Sequence, residues 1–105
     1  MASIPARIGL KIASFLNEVK NLNITIEQAV LFGSYAKGTN SEWSDIDIAL
    51  VSNDFEGIKI YDRQKLLSAV LKVDSAIETM PYRPEDFNNA NPFVREILRE
   101  GIRVL

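Results

Sequence analysis

The sequence predicts a small α/β domain in which a mixed sheet of three to four strands has helices packed on one face. Its 105 residues suit one hydrophobic core, and we expect residues 1–105 to form a single domain. Hydrophobic residues make up 47% and charged residues 25%, as in ordinary globular proteins. Apolar residues at helical spacing alternate with short apolar runs of strand length, which is the pattern of an α/β chain.

The first half of the chain predicts one helix and two strands. The helix runs from Pro5 to Leu22, with Ser3 as its cap. Its apolar positions are Ile8, Ile12, Phe15, Leu16 and Val19. A buried strand follows at residues 28–32 and ends at Gly33, and a polar, turn-rich stretch then leads to a second strand at residues 45–51. In that second strand Ile46, Ile48 and Leu50 should share one face.

The second half predicts a long helix, a strand, a shorter helix and a tail strand. The long helix spans about residues 59–72. Its apolar stripe is Ile60, Leu66, Leu67, Val70 and Leu71. Period-two alternation predicts a third strand at residues 73–80. The dipeptide Asn91-Pro92 should start the last helix and Gly101 should stop it, with an edge strand at residues 102–105.

The composition excludes several kinds of site. The chain has no Cys and no His, so thiolate chemistry, imidazole bases and zinc sites built on those residues are excluded. Oxygen ligands favour Mg²⁺, Mn²⁺ or Ca²⁺. A net charge of −2 disfavours binding to long nucleic-acid duplexes. With no apolar run of membrane-spanning length and no signal-peptide core, we expect a cytoplasmic protein that does not bind membranes.

Two carboxylates, Asp45 and Asp47, stand one residue apart at the head of the second strand. Alternate residues of a strand share a face, so their Cα atoms lie about 6.6 Å apart and both side chains can reach one point. Like charges roughly 5 Å apart repel by about 3 kcal/mol at an effective dielectric near 20, so the pair needs a cation. The sequence therefore predicts a metal site held by oxygen.

Spacing excludes two familiar sites for this stretch. Gly33 and Gly38 have the separation of a P-loop, but Thr39 stands where the lysine should follow, and Lys37 precedes the second glycine. An EF-hand needs further oxygen ligands and a glycine after the first two acids, and residues 49 and 50 are apolar. The remaining pattern is Gly-Ser, ten residues, and Asp-x-Asp.

This pattern resembles the fingerprint of the DNA polymerase beta-like nucleotidyltransferases, above all the minimal nucleotidyltransferase domains. The segments VLFGSYAKG, SDIDIAL, IETMPYRPEDF and NPFVREILREGIRVL are similar to that family in order and spacing. The resemblance implies a nucleotidyltransferase fold and transfer of a nucleotide, AMP from ATP, to a hydroxyl of a protein or RNA. Two Mg²⁺ ions, or Mn²⁺, would stabilise the attacking and leaving oxygens.

The resemblance also implies roles for individual residues. Gly33 and Ser34 would hold the β- and γ-phosphates at a tight turn, and Lys37 is a further phosphate candidate. Asp45 and Asp47 would bind the metal ions and act in catalysis.

A third carboxylate on the neighbouring strand should complete the metal site. Strand alternation leaves Glu78 and Asp74 as alternatives, about 13 Å apart on one face. Alignment of the following residues 84–87 with the family favours Glu78 as the third catalytic and metal-binding acid, although many relatives carry the shorter Asp there.

The resemblance also implies a partner, because minimal nucleotidyltransferases often occur as antitoxins beside a HEPN-domain toxin. A chain this short leaves no room for an acceptor-binding domain, so a partner chain or a homodimer should complete the site. The alternative is a module that binds nucleotide or a partner without chemistry.

The other polar and aromatic residues have plainer interpretations. We expect Tyr35 and Trp43 to pack beside the core. The mixed charges on the last two helices indicate solvated faces; these residues are Asp62, Arg63, Lys65, Arg95, Glu96, Arg99 and Glu100.

Overall fold

The structure, a computed structural model, describes residues 4–105 and consists of a mixed four-stranded sheet with four helices. The helices are α1 (Ala6–Asn21), α2 (Ser34–Lys37), α3 (Lys59–Val73) and α4 (Pro92–Glu100). The strands are β1 (Gln28–Phe32), β2 (Ile46–Val51), β3 (Ile77–Tyr82) and β4 (Ile102–Arg103). A 3₁₀ turn, Pro84–Asp86, follows β3. The predicted fold class is confirmed.

The sheet has the strand order β3-β2-β1-β4. Strand β1 pairs antiparallel with β2 and with β4, while β2 and β3 run parallel. A parallel pair needs a crossover, and α3 supplies it between β2 and β3. Strands β2 and β3, which carry the predicted acids Asp47 and Glu78, are therefore neighbours in the sheet.

The larger part of the core lies between one face of the sheet and the helices α1 and α3. Ile46, Ile48 and Leu50 all point into this layer, as their alternation predicted. The stripe predicted for α1 is confirmed by four buried residues at helical spacing. They are Ile8, Ile12, Phe15 and Val19. These contacts leave the opposite side chains of β2, including Asp47, on the other face of the sheet.

That other face is partly covered by α4. Val94 and Ile97 pack against Val30, Ala49 and Tyr82 in a second, smaller apolar cluster. The helix begins where predicted, because the Asn91 side chain accepts hydrogen bonds from the backbone N–H groups of its first turn. Helices therefore lie on both faces of the sheet, so the prediction that they pack on one face is wrong. Helix α4 lies on the face that carries Asp47, and α1 and α3 lie on the opposite face.

The predicted bounds of β3 are wrong. The strand covers Ile77–Tyr82, whereas Val73 is the last residue of α3 and Asp74 follows it. Asp74 pairs with Lys11 and also accepts a hydrogen bond of 2.8 Å from the backbone N–H of Ala76. The bond from Ala76 is local and forms a turn at the place where alternation suggested an extended chain, and the pair with Lys11 ties Asp74 to α1.

The predicted stripe of α3 is only half right. Leu66 and Val70 are buried, but Ile60, Leu67 and Leu71 are more than half exposed. The buried side of the helix is formed instead by Asp62, Leu66, Ala69 and Val70. The predicted cap Ser3 lies outside the described residues. Within residues 4–105, no helix is both long and apolar enough to cross a membrane.

Candidate functional site

The predicted acids lie at one end of the adjacent strands β2 and β3. Asp47 of β2 is the direct Cα partner of Glu78 in the parallel strand β3. Residues paired in this way project from the same face of a sheet, so both side chains leave the sheet on the α4 side. Asp45 precedes the strand by one residue and is exposed. The structure thus brings all three predicted acids to one region.

The Gly-Ser turn lies directly beneath Asp47. Gly33 has a φ of 74°, in the region that favours glycine, and a Cβ placed on it would collide with the Asp47 carboxylate. The backbone conformation therefore favours glycine here, and the missing side chain leaves room for the Asp47 carboxylate. Ser34 starts α2 immediately after this turn and is half-buried. The predicted phosphate-binding turn and the predicted acids are adjacent.

The electrostatics of the site follow from this crowding. The pKa of Asp47 is raised, first by burial and then by the negative charges of Asp45 and Glu78. Each of these effects disfavours the charged carboxylate, so the site has a free-energy cost that a bound cation would relieve.

The acids form a suitable donor set for hard divalent ions, because all their ligand atoms are carboxylate oxygens. No group of three acidic side chains within residues 4–105 is close enough to hold a metal ion. The carboxylate of Glu78 accepts a hydrogen bond of 2.9 Å from Arg63 on α3. Glu78 thus shares a Cα register with Asp47, while its side chain is paired with Arg63.

Two candidate residues are engaged elsewhere. Lys37 forms an ion pair of 3.2 Å with Glu100 at the end of α4. Asp74, the alternative third acid, is held by Lys11 and lies outside β3. The Lys11 hydrogen bond is the main reason why the pKa of Asp74 is lowered. Glu78 is therefore the better placed of the two acids.

Aromatic side chains lie next to Asp47 on the same face of the sheet. Phe32, the Cα partner of Asp47, packs edge-on against Phe93 of α4 with ring centroids 6.0 Å apart. The Lys59 ammonium lies 5.5 Å from the ring centre of Tyr82 and 6.0 Å from that of Phe93. No pattern in the sequence singled out Lys59, because it is simply the first residue of α3.

Some of the plainer interpretations need correction. Tyr35 is buried as expected, but Trp43 is 85% exposed in the loop that leads to Asp45, so it does not pack on the core. Asp62 is buried, and its carboxylate accepts hydrogen bonds of 2.9 Å from the backbone N–H groups of Glu56 and Gly57. It fixes a loop and does not belong to a solvated face.

The mixed charges of α4 behave as predicted. Arg99 pairs with Glu96 at 2.7 Å and with Glu100 at 3.0 Å, and all three side chains are at least one-third exposed.

A small mixed sheet with paired acids beside a glycine-serine turn defines the nucleotidyltransferase class of fold. Residues 12–104 match the family described as nucleotidyltransferase domain, and the chain belongs to this family. A Methanocaldococcus jannaschii protein named "putative protein adenylyltransferase" is 34% identical over 96 residues, which cover 90% of this chain and 93% of that protein.

Solved structures show the same fold. One is described as a toxin-antitoxin with AMP-PNP; it is 25% identical, with a TM-score of 0.63, and the match covers 92% of this chain and 72% of that chain. A second, described as a putative nucleotidyltransferase from Sulfolobus solfataricus, is 19% identical with a TM-score of 0.57, covering 98% and 89% of the two chains. The resemblance to minimal nucleotidyltransferases is confirmed.

Proposed function

We propose that the chain transfers AMP from ATP to a hydroxyl group of a protein, with Mg²⁺ or Mn²⁺ held by Asp45, Asp47 and Glu78. The observation that carries the proposal is the contact of the Gly33 backbone with the Asp47 carboxylate, next to the strand position of Glu78. Membership of the nucleotidyltransferase family and the name of the Methanocaldococcus relative support the reaction class and the protein acceptor.

Each residue has a distinct task in this proposal. The Gly33 turn and the Ser34 hydroxyl receive the β- and γ-phosphates, and Lys37 adds a positive charge if it exchanges Glu100 for phosphate. The three acids would hold the divalent ions beside the acceptor hydroxyl, whose oxygen forms a bond to the α-phosphorus while the bond from that phosphorus to the β-phosphate oxygen breaks and pyrophosphate leaves. When bound, the divalent ions would neutralise the negative charge that develops on the attacking and leaving oxygens.

The acceptor is proposed to be a partner protein of the HEPN toxin type, so that the chain acts as an antitoxin in the cytoplasm. The similarity to a structure described as a toxin-antitoxin with AMP-PNP supports this partner class. A homodimer in which a second copy completes the cleft is the alternative assembly.

Labelled ATP tests the reaction and the acceptor together. The chain is incubated with Mg²⁺, an extract of its source cells, and ATP labelled at either the α- or the γ-phosphate. We expect label from the α-phosphate alone, in a product that protease removes and ribonuclease leaves intact. The Asp45→Asn and Asp47→Asn variants should give no product. Label from the γ-phosphate, or full activity in either variant, would contradict the proposal.

A second candidate is a module that binds its partner without chemistry. The observation in its favour is that Glu78 and Lys37 are both occupied by ion pairs with residues of the same chain. A binding module should retain partner binding in Asp45→Asn and show no labelled product with the unmodified chain.

A further inference from the structure

The Arg63 side chain reaches from α3 to the predicted metal site. Its guanidinium donates a hydrogen bond of 2.9 Å to a carboxylate oxygen of Glu78. The two residues are 15 positions apart, on different elements, so this contact is made by the fold and not by local sequence. Through it a positive charge lies next to the strand position paired with Asp47.

Other basic side chains near this face have different partners. Lys37 pairs with Glu100, and Lys59 lies over the rings of Tyr82 and Phe93. Within residues 4–105, one ion pair involves a predicted acid, and it joins Arg63 to Glu78. Arg63 is thus the basic side chain that pairs with one of the predicted acids, Glu78, in the part of the chain that the structure describes.

The direction of the Glu78 side chain separates it from the other two acids. Its backbone is in register with Asp47, yet no three acids in the described chain form a metal-sized cluster. A glutamate has one more rotatable bond than an aspartate, so the Glu78 carboxylate can change direction by changing rotamer without a change in the backbone.

We propose that Arg63 is a positioning residue that holds Glu78 away from Asp45 and Asp47 until a divalent ion binds, when Glu78 exchanges Arg63 for the ion. The inference rests on the proposed function, because it assumes that the three acids form a metal site. It makes the site's affinity for metal depend on a residue that touches neither the ion nor the nucleotide.

The exchange is reversible because the ion pair is weak. The side chains of Arg63 and Glu78 are 48% and 47% exposed, so water screens their attraction. Exposed pairs of this kind change an equilibrium by about twofold to fivefold. Arg63 therefore tunes the affinity for the ion without blocking the site.

Manganese binding followed by electron paramagnetic resonance tests the proposal without any turnover. The metal-free chain is compared with Arg63→Gln and with Lys72→Gln, a control that removes the same charge from an exposed position of the same helix. Arg63→Gln should bind Mn²⁺ about twofold to fivefold more tightly, and Lys72→Gln should match the unmodified chain. In a Glu78→Gln background, Arg63→Gln should have no effect, because the pair is already broken.

A second measurement uses the unmodified chain. The ¹⁵N signal of the Arg63 guanidinium should shift during a Mg²⁺ titration, in parallel with occupancy, and should not respond in Glu78→Gln. Weaker or unchanged Mn²⁺ binding in Arg63→Gln, or an Arg63 signal insensitive to Mg²⁺, would overturn this inference alone. Failure of the unmodified chain to bind Mn²⁺ at all would overturn the proposed function as well.

Discussion

Neutralising Asp47 should stabilise the metal-free protein. Burial raises the pKa of this carboxyl, and the charges of Asp45 and Glu78 raise it further, so all three causes oppose the charged form in the folded chain. Asp47→Asn removes the charge with little change in shape. A residue that we propose to bind the metal ions would then be a source of instability when no ligand is present.

The magnitude follows from the strand geometry. Charges about 6.6 Å apart, the spacing of alternate strand residues, repel by about 2.5 kcal/mol at an effective dielectric of 20 and by about 0.6 kcal/mol in water. Asp45 is exposed and Asp47 is half-buried, while Arg63 offsets the charge of Glu78. We therefore expect a gain of about 1 kcal/mol, or roughly 4 °C in melting temperature.

Thermal unfolding in EDTA at neutral pH measures the gain. The control is Asp86→Asn, which makes the same change in net charge. The hydrogen bond with Arg83 lowers the pKa of Asp86, so removing the Asp86 charge should give no stabilisation. Since the folded-state pKa of Asp47 is raised, the advantage of Asp47→Asn should shrink as the pH falls through that pKa towards 3.8. A melting temperature below that of the unmodified chain would refute the electrostatic argument.

Three further substitutions test other contacts. Gly33→Ala should lose about 1–3 kcal/mol of stability, together with nucleotide binding, whereas Gly9→Ala, in an uncrowded helical position, should gain about 0.5–1 kcal/mol; urea unfolding compares them. Asp74→Asn should lower the melting temperature at pH 7 and leave Mg²⁺-dependent ATP binding unchanged, and the loss should vanish below the lowered pKa of Asp74 as the pH falls. Asn91→Ala should cost about 1 kcal/mol by circular dichroism melts, because two backbone N–H groups lose their cap.

Much of the fold could be predicted because local patterns and tertiary packing agree. The bounds of β1 and the face assignment of β2 followed from apolar runs and alternation, and both are confirmed. The acids followed from spacing combined with family resemblance. The structure places Asp47 and Glu78 in register on adjacent strands, although the Glu78 carboxylate is paired with Arg63.

The remaining errors come from side chains that act across elements. Alternation could not reveal that Asp74 closes a helix by pairing with Lys11, which is 63 positions away. Charge pattern alone could not distinguish buried Asp62, which accepts two loop amides, from the solvated residues beside it. The link between Arg63 and Glu78 depends on how α3 lies along β3, and the sequence carries no local sign of it.

Calorimetric titration of ATP into the unmodified chain, in Mg²⁺ and again in EDTA, tests the central claim most directly. The account predicts binding that requires Mg²⁺ and is lost in Asp45→Asn. Equal binding in EDTA, or unchanged binding in that variant, would contradict a nucleotide site built on these carboxylates.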